Sequence, residues 1–236
     1  MLDKEVSAGS MALMAGRKSY NQTCPIAKGL DILGERWTLL ILRELLGGPR
    51  RYSDLRAELP GIATNLLAER LKDLQDAGLV DRVELPPPIA RTVYSLSDVG
   101  WRRVPSVLRS IAWIGLDRLD PIGGAPVSPL TGFLAAIVIP FDPAKTAALT
   151  GTYCAEIDGR RFEFALEHGY LAAAAHGQPD VTVTASAADL TTARLGLTEA
   201  EREAALRRIA FDGQPDAVDA LREAFSLSLA SPAALG

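Results

Sequence analysis

The sequence is poor in the residues that carry most metal and covalent chemistry. It has two histidines and two cysteines in 236 residues. His168 and His176 stand at no metal-ligand spacing from Cys24, Cys154 or a carboxylate group, so no metal centre is expected. Two cysteines make no disulfide framework. No Gly-x-Ser-x-Gly, phosphate-loop or dinucleotide fingerprint is found, which leaves no nucleophile or nucleotide cradle to assign. The expectation is a protein that is not an enzyme and needs no cofactor. No apolar run reaches the ~20 residues that a membrane span needs. The start, with Asp3, Lys4 and Glu5, lacks the apolar stretch of a secretory signal. A cytoplasmic, nucleoid-associated location without a membrane partner follows as an expectation.

An overall positive charge is also lacking. The formal net charge of −4 argues against a chain that coats nucleic acid along its whole length. The charge is unevenly divided, however. Residues 17–118 hold 16 Lys/Arg against 12 Asp/Glu, and residues 119–236 hold 8 against 15. A basic first half joined to an acidic second half suits a DNA-facing domain with an attachment that faces elsewhere. Apolar residues make up 48% of the chain, which excludes wholesale disorder. The expected organisation is a tail at 1–16, a first domain at 17–118, a Gly/Pro-rich linker at 119–129 and a second domain at 130–236.

Punctuation and period organise the first half. Ile26, Leu30 and Leu33 follow Pro25 at helical spacing, and Gly34 ends that helix. Trp37, Leu40, Ile41 and Leu45 mark a second helix, closed by Gly47-Gly48-Pro49. Tyr52, Leu55 and Leu59 give a short positioning helix, broken by Pro60-Gly61. The next helix opens at Ala63 or Thr64 and runs to about Ala77, with Leu67, Leu71 and Leu74 turned inward. Its other face carries Thr64, Asn65, Ala68, Glu69 and Lys72. Asn bonds adenine in a bidentate way, Thr meets a thymine methyl or a phosphate, and Lys72 suits a phosphate. Glu69 reads better as solvated.

After Gly78 the period changes to alternation. Leu79 to Leu85 and Arg91 to Leu96 read as a two-stranded ribbon whose tip is Pro86-Pro87-Pro88. Arg91 can reach a phosphate or the minor groove, or be ordinary exposed charge. Ser97 caps a last helix with Val104, Leu108, Ile111 and Gly115 in one stripe, flanked by Trp101, Val107 and Ile114. Pro105 should kink or restart it. The stripe is too wide for a lone small domain. It reads as a dimer helix that packs on its symmetry mate and on the first helix, with packing on the second domain as the alternative. This element order is a winged helix-turn-helix.

The segments CPIAKGLDILGERWTLLILRELLGGPRRYSDLRAELPGI, AERLKDLQDAGLV and YSLSDVG resemble the HxlR-type winged-helix transcriptional regulators over residues 20–116. The resemblance implies a homodimer on a pseudo-palindromic operator of double-stranded DNA. It assigns DNA contacts to Arg51 and Ser53, to Thr64, Asn65 and Lys72, and to Arg91 in the wing. Members often carry a basic residue at the position of Asn65 and Ser or Thr at that of Ala68, which leaves base preference open. Cys24 aligns with a cysteine that some members use as a redox sensor. A helix N-terminus lowers a thiol's pKa, and Lys28 one turn on could add to this. The plainer reading is a small buried apolar residue.

In the second half, Phe133–Ile139 is an apolar run, helix or strand. Strands are expected at Thr152–Ile157, Arg161–Leu166, Tyr170–Ala175 and Val181–Thr184, with a hairpin turn at Asp158-Gly159. Helices are expected at Ala187–Leu195, Glu199–Arg207 and 215–224, and an end segment runs from Phe225 to Leu229. The DGRRFEFALEHGYL hairpin, the PDVTVT strand before SAADL, and FDGQPDAV resemble the sterol carrier protein type-2-like domain over about residues 130–230. That resemblance implies an α+β sandwich with an apolar cavity for a lipid-like or other apolar ligand. Phe133, Ile137, Phe141, Phe162, Phe164 and Phe225 are the lining candidates, with a plain packed core as the alternative. The expected fold class is thus α+β, a winged helix-turn-helix followed by a sterol-carrier-like sandwich. The expected function is a dimeric, sequence-specific, DNA-binding transcriptional regulator modulated by an apolar small-molecule effector. The alternatives are a carrier whose winged helix serves only dimerisation, and a thiol switch through Cys24.

Overall fold

The computed structural model describes residues 19–86, 91–116, 118–119, 126–175 and 177–227. The expected tail, the wing tip at Pro87 and Pro88, the linker between 120 and 125, His176 and the chain beyond 227 lie outside the described residues.

The first half begins with helix α1 (Pro25–Leu33), which Gly34 ends by donating its N–H to the Leu30 carbonyl at 2.8 Å. Helix α2 (Thr38–Leu46) buries Ile41, Leu42, Leu45 and Leu46. Leu40, one of the residues that mark this helix in the sequence, is 39% exposed. At 100° per residue it falls on the far side from the Ile41–Leu45 and Leu42–Leu46 pairs that meet the core. Helices α3 (Tyr52–Glu58) and α4 (Thr64–Asp76) follow at the expected positions. Leu67, Leu71 and Leu74 of α4 are all buried, as their spacing requires. Gly61, at φ +93°, makes the turn between these helices, a conformation that a residue with Cβ rarely adopts. Strands β1 (Val80–Leu85) and β2 (Arg91–Leu96) pair antiparallel to form the wing.

Helix α5 (Asp98–Leu116) runs unbroken through Pro105, so the helix does not restart there. Ser97 caps it as expected, its hydroxyl accepting the Gly100 N–H at 3.0 Å. Burial differs between the two ends of this helix. Trp101, Val104 and Pro105 are buried, whereas Ile111, Trp113 and Ile114 are exposed.

The second half opens with α6 (Pro129–Phe133), which passes into one turn of π-helix at Leu134–Val138. The apolar run that could have been helix or strand is therefore helix. A short helix, α7 (Pro143–Thr146), precedes strands β3 (Gly151–Ile157), β4 (Arg160–Glu167), β5 (Tyr170–Ala173) and β6 (Val181–Ala185). Helices α8 (Ala187–Leu195) and α9 (Glu199–Leu206), strand β7 (Ala210–Gly213) and helix α10 (Pro215–Ala224) complete the described chain. The sheet order is β5-β4-β3-β6-β7, antiparallel except for the parallel β3–β6 pair. Both hairpin turns, Asp158-Gly159 and His168-Gly169, hold two consecutive residues at positive φ, which matches the right-handed twist of the paired strands.

Helix α5 joins the halves by packing on β5 and on the π-helical turn, and Arg109 Nε donates to the Ile139 carbonyl at 3.1 Å. Buried apolar residues of both halves form one connected core. The second half is thus built onto the first rather than loosely tethered to it.

The six residues proposed to line an apolar cavity are each no more than 2% exposed. The Phe133 and Phe162 rings stack at 4.8 Å, and Phe164 meets Phe133 at 5.8 Å, Tyr153 at 5.5 Å and Phe225 at 6.5 Å. The four phenylalanine rings form one connected cluster.

Candidate nucleic-acid interface

Helix α4 divides cleanly. With its three leucines inside, Thr64, Asn65, Ala68, Glu69 and Lys72 are all exposed. Thr64 and Asn65 stand in the first turn, where the helix N-terminus also favours an anion such as a phosphate. Lys72 Nζ sits 3.0 Å from Asp76 Oδ2 one turn on. An exposed i,i+4 pair of this kind is weak, so a phosphate can compete for the lysine. Arg70, on the half-buried flank, holds Asp73 at 2.6 Å and Glu35 at 3.3 Å and serves to fix α4 rather than to reach outward.

Arg51 and Ser53 are exposed at the start of α3, where the Arg51 N–H donates to Asp54 Oδ2 at 3.1 Å. Arg91 is exposed at the tip end of the ribbon, paired in register with Leu85. One backbone bridge ties these parts together. The Arg50 N–H donates to the Tyr94 carbonyl at 2.8 Å, and the Tyr94 N–H returns to the Arg50 carbonyl at 2.7 Å. The entry to α3 is therefore hydrogen-bonded directly to the wing.

Sequence reasoning missed the role of Tyr52. Its hydroxyl donates to the Thr64 carbonyl and so fixes the first turn of α4 against α3. The two residues are 12 apart, beyond the reach of any local period. Tyr52→Phe keeps the ring and removes this bond. It should lower stability by about 1 kcal/mol in urea unfolding, and an unchanged midpoint would show that the bond contributes nothing.

Cys24 is half-buried at the residue before α1, with no hydrogen bond capping the helix from its side chain. Lys28, expected to favour its thiolate, faces Asp31 at 3.6 Å instead. Cys154 is fully buried in β3, and burial pushes its thiol pKa up. Among the described residues no group of His, Cys, Asp and Glu could hold a metal ion, and no helix is long and apolar enough to cross a membrane.

Helices α1 and α5 border an apolar hollow of roughly 200 Å³, lined by Gly29, Ile32, Leu33, Val104 and Val107 among others. Around these two helices Ile26, Leu30, Ile111, Trp113 and Ile114 are exposed, Ile26 at 75% and Ile114 at 77%. So much apolar surface on two neighbouring helices is more than scattered exposure explains.

The chain is similar in sequence to known helix-turn-helix proteins. The HxlR-like helix-turn-helix family model matches residues 32–120. YvaP of Bacillus subtilis, an uncharacterised HTH-type transcriptional regulator, is 38% identical over 104 residues, which are 44% of this chain and 95% of that protein. The HTH-type transcriptional regulator YodB of the same organism is 36% identical over 81 residues, 34% of this chain and 72% of that protein. The solved reduced form of YodB covers 44% of this chain and all of its own, with 29% identity and a TM-score of 0.36. From the match to YvaP over nearly its whole length, together with the family model on the helix-turn-helix, the chain belongs to the HxlR-like helix-turn-helix family.

Proposed function

We propose that the protein is a dimeric regulator of transcription that reads duplex DNA with the first turn of α4. The observation that carries this reading is the exposure of Thr64 and Asn65 beside Arg51, Ser53 and Lys72, while the leucines of the same helix are buried. Thr64 and Asn65 would meet base edges in the major groove. Arg51, Ser53, Lys72 and the wing's Arg91 would hold phosphates on either side. The apolar surface of α1 and α5 is the dimer contact on this reading, setting two α4 helices about one DNA turn (~34 Å) apart on a pseudo-palindromic site.

The second half is then the regulatory half, built onto the dimer helix. An apolar effector acting there would have to enter between phenylalanine rings that now touch. It would alter DNA affinity only if it bound the forms with right and wrong α4 spacing unequally.

The test is a binding-site logo from a randomised duplex library, taken with the wild type and with Asn65→Ala. Asn65→Ala should lose about 1–3 kcal/mol on the preferred site and relax one base position per half-site. An identical logo and affinity would remove Asn65 from the reading face.

A further inference from the structure

Two arginines from opposite halves of the chain end in one place. A carbon built on Gly47 would lie 2.9 Å from Arg160 Nη2, 3.1 Å from Arg50 Nη2 and 3.1 Å from Leu130 Cδ1. Both guanidinium groups thus close on the same stretch of backbone at Gly47. Arg50 comes from the segment between α2 and α3, and Arg160 opens β4. Nε and Nη2 of Arg50 and Nη2 of Arg160 are shut off from solvent and have no acceptor. The Arg160 guanidinium lies over the Phe162 ring at 4.6 Å, a contact that satisfies none of those N–H groups.

The nearby acid, Glu44, attracts Arg50 but accepts no hydrogen bond from it. Glu44 is 2% exposed, and Arg43 takes its Oε1 at 2.7 Å while Oε2 is buried without a donor. Burial, foremost, pushes this carboxyl above the usual carboxylate range. Arg43 and Arg50 oppose that, and Glu58 adds to it. Buried donors without acceptors are costly, and two cations crowded together are more so. Planar N–H forks are matched by the paired oxygens of a carboxylate or phosphate.

We propose that Arg50 and Arg160 form a binding site for a small oxyanion, a phosphate or a carboxylate, at the junction of the two halves. The anion accepts from Arg50 Nε and Nη2 and from Arg160 Nη2, and it lifts the repulsion between the two cations. Binding at this site does not depend on the DNA reading. Its consequence for regulation rests on that reading, because Arg50 is also the residue whose backbone ties α3 to the wing. An anion held there clamps the DNA-facing body to the second half.

The experiment uses the full chain without DNA, so that its outcome is separate from that of the DNA reading. Thermal unfolding and isothermal titration are run with sodium phosphate and with sodium acetate, each against sodium chloride at matched ionic strength. The wild type should gain several degrees over chloride, with saturable binding, from at least one of the two anions. Which anion gives the gain tells phosphate from carboxylate. Arg160→Gln should lose the gain, and Arg160→Lys, which keeps the charge without the fork, should retain part of it. Phosphate also stabilises proteins by exclusion from their surface, and that effect would survive in the variants. An equal gain in Arg160→Gln, or no gain in the wild type with either anion, overturns the site. If Arg160→Gln does not fold, an undiminished gain in Arg160→Lys overturns it and a reduced one supports it.

Discussion

Ile114→Glu should convert the protein to a monomer and weaken binding to its preferred DNA site by roughly 10²-fold or more. Ile114 is 77% exposed near the end of α5, and Ile26 and Leu30 of α1 are exposed as well. A charge placed there costs the monomer little, because the side chain already faces water. In a dimer the same carboxylate would be carried into an apolar contact without a partner. Each half-site would then have to be bound alone, without the high effective concentration that a linked second domain provides. Sedimentation equilibrium and a DNA titration on the same preparation check both parts. A dimer of unchanged strength would mean that α1 and α5 pair with something other than a second copy.

Phe164→Ala should cost about 3–5 kcal/mol of folding stability. Its ring touches Phe133, Tyr153 and Phe225, and it is 1% exposed, so removing it leaves a cavity that three neighbouring rings can only partly close. For a chain of this size that corresponds to a fall in Tm on the order of 10 °C. The connected core gives a second expectation, that both halves lose structure together in a single transition. Below that transition DNA affinity should stay close to wild type, because no DNA-facing residue is touched. A loss of stability under about 1 kcal/mol would mean that the rings border open space rather than pack, since cavity-forming truncations in a filled core cost more.

The elements of the first half were legible because local rules agreed there. Pro25 and Gly34 bracket α1, the leucine spacing of α4 names its buried face, and Ser97 caps α5. The strands of the second half were legible for similar reasons, with Asp158-Gly159 and His168-Gly169 both taking the hairpin conformation. What could not be read depended on partners distant in sequence. Leu40 helps mark α2 in the sequence, but which side of α2 meets the core is set by its packing partners. Strand β7 is only four residues long and exists through its pairing with β6. The split of α5 into a buried and an exposed part depends on where β5 arrives. The residues proposed to face DNA were named from position on α4 for Thr64, Asn65 and Lys72, and from the family resemblance for Arg51, Ser53 and Arg91. Tyr52, which fixes that face, and the convergence of Arg50 and Arg160 beside Gly47 are products of tertiary packing with no period to announce them.

The most direct measurement of the central claim is the DNA affinity of the wild type across a series of salt concentrations, on a duplex selected from a random library. If Arg51, Lys72 and Arg91 of two subunits each neutralise a phosphate, log K should fall against log salt with a slope of about −5. A slope near zero, or no saturable binding at low salt, would contradict the assignment of this face to DNA.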